Sequence, residues 1–159
     1  MSEPLLRSRG CFVCGVGNPA GLKLAFRREN GEVRAEWTPR PEFAGYKGVV
    51  HGGLSATVLD EAMTWACAVA SQRFCYAAEM TVRYLAPVRP GETLTVRARL
   101  TANRRQRLFE AAAELTGPDG RPRATASGKY LPIPPEALTG MADDFLGDAA
   151  AFGLPAGGG

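Results

Sequence analysis

The sequence lacks a long apolar segment, a large excess of charge and a dense set of cysteines. No apolar run approaches the roughly 18 residues that a membrane-spanning helix needs, and the opening stretch MSEPLLRSRGCFVCG has no apolar core of a secretory signal. A net charge of +3 on 159 residues gives no basis for bulk nucleic-acid binding. We therefore expect a cytoplasmic protein whose partners include neither a membrane nor a nucleic acid.

Cysteine and histidine are scarce, with four residues and one residue respectively. Four cysteines do not form a disulfide scaffold in a chain of this length, so we expect them to be reduced. Cys11 and Cys14 form a C-x-x-C motif, but a zinc site needs about four ligands, and the sequence has no second such motif. A redox pair would need a thioredoxin-like βαβ context, which is missing. We interpret both cysteines as packing residues of an N-terminal turn and expect no metal and no cofactor.

The apolar pattern predicts one domain with a hairpin, one long helix and a run of strands. From 52 to 71 there is no proline, helix formers are frequent and apolar residues recur at helical spacing. This predicts a long helix that is apolar nearly all round. Period-two alternation between Gly, Pro and Asn turns predicts strands, at 22–37 (a hairpin turning at Asn30-Gly31), 77–88, 92–103, 108–116 and 122–133.

Consecutive strands with one apolar face predict an antiparallel sheet, so the fold class is α+β. One helix cannot cover both faces of such a sheet, and the uncovered part needs a further partner. We place the domain at 22–133, with an N-terminal segment at 1–21 and a C-terminal tail at 134–159. We expect that tail to be mobile, with one short helix near 137–146.

The residues His51, Gly52 and Gly53 stand where the predicted helix begins. The first N–H groups of a helix have no partner within the helix and favour an oxygen anion. Glycines there let a substrate approach the backbone, so the Gly52 N–H suits an oxyanion hole. We interpret His51 as a positioning residue that bonds the loop backbone, and leave open whether it contacts the reacting centre.

Two adjacent carboxylates, Asp60 and Glu61, interrupt the helix, although residues 48–72 contain no Lys or Arg. A buried carboxylate without a cationic neighbour is costly, so Asp60 either has a distant partner or serves chemistry. It shares a stripe of small, weakly polar residues with Thr57. Glu61 lies about 100° round the helix, and we interpret it as a carboxylate paired with an arginine such as Arg83.

Together these motifs resemble those of one enzyme family. G-x-V-H-G-G followed by L-D-E-A resembles the hotdog acyl-CoA thioesterases, in the PaaI-like branch of the 4-hydroxybenzoyl-CoA thioesterase superfamily. C-F-V-C-G-x-x-N-P-x-G-L-x-L at 11–24, A-E-M-T-V-R-Y-L-A-P-V at 78–88 and A-S-G-K at 126–129 resemble further segments of that family. The resemblance covers about residues 11–133.

The resemblance implies a hotdog fold, in which an antiparallel sheet curls round one long helix and subunits pair into a dimer or a tetramer. It implies hydrolysis of an acyl-CoA or aryl-CoA. Asp60 matches the carboxylate that acts as general base or nucleophile. Gly52 matches the N–H that polarises the thioester carbonyl, and His51 matches the histidine beside it. In the family the carboxylate and the His-Gly segment come from different subunits.

Two positions depart from the family pattern, and others are candidates for holding CoA. Gly45 stands where PaaI-like enzymes carry an asparagine, and Ala77 stands where many members carry Ser or Thr near the site. Both replacements remove hydrogen-bonding capacity. Arg104 and Arg105, at a turn between strands, are candidates for contact with CoA phosphates, and the alternative interpretation is a solvated hairpin tip. Lys129 is a weaker candidate.

Two alternatives to a thioesterase follow from the same residues. A non-catalytic acyl-CoA-binding protein is consistent with Gly45 and Ala77. A hotdog acyl dehydratase would use a histidine in an H-F-P type loop with a glutamate on the helix. That alternative fits less well, because this sequence has HGG and Asp60 at those places.

Overall fold

The computed structural model describes residues 1–147, and a long helix packed against an antiparallel sheet dominates it. Short 3₁₀ turns at Pro41–Phe43 and Ala142–Asp144 complete the regular structure of this range. The helices are α1 (Gly52–Ser71) and α2 (Pro135–Leu138), and the strands are β1 (Ser2–Pro4), β2 (Arg7–Ser8), β3 (Arg27–Glu29), β4 (Glu32–Trp37), β5 (Cys75–Tyr84), β6 (Leu94–Arg104), β7 (Leu108–Thr116), β8 (Pro122–Pro132) and β9 (Phe145–Leu146).

The main sheet has the order β1-β3-β4-β6-β7-β8-β5, and neighbouring strands are antiparallel. The helix α1 packs against five of these strands, from β4 to β5, because the sheet bends round it. Small buried side chains in register cross the middle of the sheet and leave room for the helix: Val33, Ala98, Ala113 and Ala126. The predicted α+β class and the hotdog architecture are confirmed.

The helix α1 has the bounds that the sequence predicted, Gly52–Ser71. It ends at Gln72, which takes a left-handed φ of 57° and stops the helix. Val58, Leu59 and Met63 on its inner side are fully buried. Its other side, which includes Asp60, is only partly covered by this chain. Within residues 1–147, no helix is long and apolar enough to cross a membrane.

The first hairpin differs from its predicted bounds. Asn30 and Gly31 form the turn with φ of 52° and 81°, as an Asn-Gly pair favours, but the strand before the turn begins at Arg27 rather than at 22. The Leu22 and Leu24 N–H groups instead donate to the carbonyls of the C-x-x-C turn, at 2.8 and 2.9 Å. The alternating pattern of this segment therefore reflects burial against that turn.

The tail also differs from the prediction as far as it is described. Instead of one helix near 137–146, the short helix α2 is followed by a 3₁₀ turn and by β9, which pairs with β2. Phe145 packs on Phe74 with ring centroids 4.9 Å apart. Residues 134–147 are thus held against the domain, while 148–159 lie outside the described residues.

Candidate active site

His51 caps the N-terminus of α1. Its Nδ1 accepts a hydrogen bond from the Gly53 N–H at 2.9 Å, and its own N–H donates to the Phe43 carbonyl at 2.8 Å. Because Nδ1 is the acceptor, a neutral ring carries its proton on Nε2. The structure therefore gives His51 the loop-bonding position that the sequence suggested.

Gly52 follows His51 and is the first residue of α1, so its N–H is a hydrogen-bond donor at the start of the helix. No hydrogen bond from this group is found within residues 1–147, and it is one of the N–H groups that a helix leaves without an internal partner. The Gly52 carbonyl accepts from the Tyr84 hydroxyl at 2.8 Å. A Cβ at position 52 would lie 3.2 Å from the Tyr84 ring, so the glycine lets this close contact form. The free N–H is a donor for a ligand oxygen.

A cavity of about 460 Å³ lies beside this donor. The loop before α1 forms one wall, with Gly45, Tyr46, His51 and Gly52, and the segment 84–88 forms another. A Cβ on Gly45 would lie 3.2 Å from the His51 Cα and 3.3 Å from its ring. A larger residue at position 45 would therefore require a small shift of His51.

Asp60 meets a neutral donor rather than a cation. Its Oδ1 accepts from the Tyr130 hydroxyl at 2.9 Å, and Tyr130 is fully buried. No ion pair of Asp60 is found in the described part of the chain. Burial raises the pKa of Asp60 above its ordinary value, and the hydrogen bond from Tyr130 opposes this in part. The arrangement keeps a carboxylate that is more basic than usual.

Gly52 and Asp60 are not brought together within one chain. Eight positions on a rigid helix separate them by about 12 Å along its axis, and Asp60 does not line the cavity at Gly52. Between them lie Gly53 and Thr57, and the Thr57 hydroxyl donates to the Gly53 carbonyl at 2.8 Å. Thr57 is therefore occupied with its own helix in this arrangement.

Ala77 is the strand partner of Tyr130, whose hydroxyl bonds to Asp60, and Lys129 lies at the surface. Ala77 is paired with Tyr130 across β5 and β8, and the register shifts directly after it, before Glu79. Lys129 Nζ lies 3.7 Å from Glu79 Oε1, and both side chains are largely exposed. The position of Ala77 fits a place beside the carboxylate, whereas Lys129 lies in a surface ion pair.

Arg104 and Arg105 form the exposed tip of the β6–β7 hairpin. Arg104 Nε donates to Glu110 Oε1 at 2.8 Å, and Arg105 takes a left-handed φ of 56° in the turn. Arg73, just beyond the end of α1, donates to the Gln106 carbonyl at 3.2 Å. This places the tip at the C-terminal end of α1, about 30 Å along the helix from Gly52 in the same chain.

The predicted pairing of Glu61 with Arg83 is wrong. Glu61 Oε1 accepts from Trp65 Nε1 at 3.2 Å and lies 3.5 Å from Cys11 Sγ. Burial raises the pKa of Glu61 to about 7. Glu61 therefore turns towards the C-x-x-C segment, away from the side of the helix that Asp60 occupies.

Two tyrosines of the candidate site, Tyr84 and Tyr130, were not predicted from the sequence. Tyr130 follows the A-S-G-K motif at an inward-facing position of the alternating strand, which indicates burial but not a bond to Asp60. Tyr84 lies within the motif at 78–88, and no local signal indicates its bond to Gly52. Both contacts join residues that are far apart in sequence, 70 and 32 positions respectively.

Comparison with known proteins identifies the fold and the family resemblance. The family model described as Thioesterase superfamily matches residues 47–120, which include α1, the strands β5–β7 and most of the residues that line the cavity. The chain is a hotdog-fold protein, and its similarity to the PaaI-like thioesterases of that superfamily is confirmed. No curated protein matches it significantly.

Several solved structures are similar to this chain over most of its length. A thioesterase superfamily protein is 27% identical, with a TM-score of 0.72, over 77% of this chain and 60% of its own length. The Escherichia coli PaaI protein of the phenylacetic acid degradation operon is 22% identical, with a TM-score of 0.65, over 71% and 81%. A Streptococcus mutans protein bound to acetyl CoA is 19% identical, with a TM-score of 0.61, over 66% and 83%.

Replacing Tyr130 with phenylalanine tests the environment of Asp60. Tyr130→Phe keeps the ring and removes the hydrogen bond that lowers the pKa of Asp60, so we expect that pKa to rise further. A carboxyl-carbon NMR titration, assigned by difference from Asp60→Asn, measures the shift. Tyr76→Phe is the matched control at a half-exposed site on β5. An unchanged or lower Asp60 pKa in Tyr130→Phe would contradict the assigned contact.

Proposed function

We propose that this protein hydrolyses a thioester of coenzyme A, an acyl-CoA or an aryl-CoA, to the free acid and CoA. The observation that supports this most directly is the Gly52 N–H at the start of α1, which has no hydrogen-bond partner within residues 1–147 and lies beside His51 and a cavity large enough for an acyl group. A helix N-terminus with a free N–H stabilises negative charge on an oxygen. The thioester carbonyl is the group that develops such charge during hydrolysis.

Asp60 supplies the second chemical group. As general base it takes a proton from water while the water oxygen bonds to the carbonyl carbon. The carbon–sulfur bond then breaks, and CoA leaves as a thiolate that takes up a proton. As nucleophile its oxygen bonds to the carbonyl carbon, the carbon–sulfur bond breaks and CoA leaves as a thiolate that takes up a proton. Water then cleaves the resulting anhydride, which releases the free acid and restores the Asp60 carboxylate. The raised pKa and the lack of a cationic partner favour either role, because both need an electron-rich carboxylate.

The site is completed by a second copy of the chain. The separation of about 12 Å along α1 keeps Gly52 and Asp60 of one chain from contacting the same carbonyl. The outer edge of β5 carries no neighbouring strand within residues 1–147. Tyr46, Tyr84 and Leu85 around the cavity are exposed, at 85%, 55% and 49%. A dimer, alone or within a tetramer, covers these groups and brings the partner's carboxylate to the cavity.

Binding of CoA needs contacts to its phosphates. Two similar Streptococcus proteins have been crystallised with acetyl CoA and with coenzyme A. In this chain the exposed Arg104 and Arg105 are suited to phosphate, and Lys129 is a further exposed cation. Because the hairpin tip lies at the far end of α1 from Gly52, it serves a cavity of another subunit.

A non-catalytic acyl-CoA binder remains the second candidate. Gly45 and Ala77 provide no side-chain donor to orient water, and this observation favours it. A dehydratase is disfavoured, because Glu61 bonds to Trp65 and lies near Cys11 rather than facing the His51 cavity. Release of CoA from a panel of acyl-CoAs distinguishes a hydrolase from a binder.

Replacing Asp60 with asparagine keeps the acceptor for Tyr130 and removes the carboxylate. We expect turnover to fall at least about a hundredfold, while CoA binding, measured by calorimetry, is retained. The exposed Glu36→Gln, on β4, is the control and should keep its turnover. Turnover in Asp60→Asn close to that of the parent protein would contradict the proposed role.

The same variant should be at least as stable as the parent at neutral pH. The folded-state pKa of Asp60 is raised, so its contribution to stability is present below the unfolded pKa and is lost as pH rises through the folded value. The asparagine has no such loss. Denaturant unfolding at acidic and neutral pH provides the measurement, and a large loss of stability at neutral pH would contradict the described environment.

Replacing Gly52 with proline removes the proposed oxyanion donor without breaking the helix. Proline is well tolerated at the first helical position, and His51 already has the extended conformation, with ψ of 128°, that a residue before proline adopts. We expect turnover to fall about 10²–10³-fold. Gly52→Ala places the same Cβ against Tyr84 but keeps the N–H, and is the matched control. Equal losses in both variants would show that the contact with Tyr84, and not the N–H, matters.

Replacing Arg104 and Arg105 together with alanine tests the phosphate contact. We expect weaker CoA binding that depends less on salt, because attraction between exposed charges is screened by ions. The maximal rate should change little. Arg97→Ala with Arg99→Ala, two exposed arginines of β6 that approach Glu32 at 4.0 Å, is the matched control. If the variant binds CoA with unchanged affinity, Arg104 and Arg105 do not contact the phosphates and form only a solvated hairpin tip.

A further inference from the structure

A cluster of two thiols and a carboxylate lies on the side of α1 away from Asp60. The cluster consists of Cys11, Cys14 and Glu61, and its ligand atoms all lie within 4.8 Å of one another. Cys14 is buried and the other two residues are half-buried. The proposed hydrolysis uses none of them.

The C-x-x-C turn holds its sulfurs rigidly. The Gly15 N–H donates to the Cys11 carbonyl at 2.9 Å, and the Val13 N–H donates to Cys11 Sγ at 3.3 Å. A Cβ on Gly15 would lie only 2.2 Å from the Cys11 carbonyl oxygen, so this turn requires the glycine after the second cysteine. A backbone N–H directed at sulfur favours the thiolate, which is the form that binds metals.

Glu61 is held at the cluster by the indole N–H of Trp65, at 3.2 Å. No ion pair of Glu61 is found within residues 1–147, so no cation of this range pairs with its carboxylate. Acidic groups gathered in this way are costly unless a cation offsets their charge.

The cluster also opens onto a cavity of about 440 Å³. Its walls include Ser8, Thr64, Phe74 and Met141, contributed by the N-terminal segment, α1, the α1–β5 connection and the tail. The space provides room for a water or a small ligand next to the three ligand atoms. Three protein ligands with one open position are the arrangement of many zinc sites.

We propose that Cys11, Cys14 and Glu61 bind one zinc-class divalent cation, whose fourth position faces this cavity. Two thiolates select a soft or borderline cation such as Zn²⁺ over Mg²⁺ or Ca²⁺. Binding of the cation releases the protons of the two thiols, and no group is oxidised or reduced. The Trp65 N–H orients the Glu61 carboxylate and the Val13 N–H orients the Cys11 sulfur, as hydrogen bonds to the ligands do in other metal sites. The third ligand lies 50 positions from the first, which explains why the motif alone predicted no metal.

Cobalt titration of the reduced, chelator-treated protein tests the site. Co²⁺ reports thiolate ligation through a sulfur-to-metal charge-transfer absorption band. We expect one Co²⁺ per chain, displaced by Zn²⁺, and a thermal unfolding midpoint that rises with Zn²⁺ because the cation binds the folded state. Cys14→Ser should abolish the band, and Glu61→Gln should weaken Co²⁺ binding at least about tenfold. Cys75→Ser, at another buried thiol, is the matched control and should bind Co²⁺ as the parent does.

Direct measurement on the parent protein keeps the test valid if a variant fails to fold. The absence of a charge-transfer band in the folded, reduced parent would overturn the proposal. A band that persists unchanged in a folded Cys14→Ser variant would overturn it as well. A Cys11–Cys14 disulfide, found by mass spectrometry, together with no Co²⁺ uptake after its reduction, would show a redox pair instead. None of these readouts depends on thioester hydrolysis.

Discussion

The fixed spacing along α1 is the constraint on which the proposed chemistry depends. The N–H of Gly52 and the carboxylate of Asp60 lie on one helix, about 12 Å apart along its axis, and a hydrogen-bonded helix cannot shorten to bring them together. A single chain therefore presents a donor at one place and a carboxylate at another. In a dimer with two-fold symmetry, the Gly52 N–H of each chain can lie beside the Asp60 carboxylate of the other chain, which gives two equivalent sites. The proposed thioester hydrolysis therefore requires an oligomer.

The same helix keeps its two carboxylates in different surroundings. The Asp60 carboxylate receives one hydrogen bond from the neutral Tyr130 hydroxyl, and burial raises its pKa, which suits the base that we propose. Glu61, about 100° round the helix, meets Trp65 and Cys11 instead. Neither residue pairs with a cation within residues 1–147. In the two proposals, these adjacent acidic residues therefore serve separate sites, Asp60 one for a thioester and Glu61 one for a metal ion.

Local sequence patterns predicted most of the fold. The bounds of α1 and the turn at Asn30-Gly31 follow from residue preferences that act over a few positions, and both are confirmed. The pattern failed between 22 and 26, because the backbone there bonds to the C-x-x-C turn rather than to a neighbouring strand. The capping position of His51 could be predicted, since its partner is two residues away. The contacts of Asp60 with Tyr130 and of Glu61 with Cys11 span 70 and 50 positions, and no local signal encodes them.

The most direct measurement of the central claim is activity in mixed oligomers of two inactive variants. Asp60→Asn lacks the carboxylate and Gly52→Pro lacks the donor. If each site combines Asp60 of one chain with Gly52 of another, a mixed dimer regains one intact site. Random mixing by co-refolding should then restore about a quarter of the parent protein's sites. If the two residues of the same chain act together, every site in the mixture has a defect. Mixtures no more active than the separate variants would contradict the shared site.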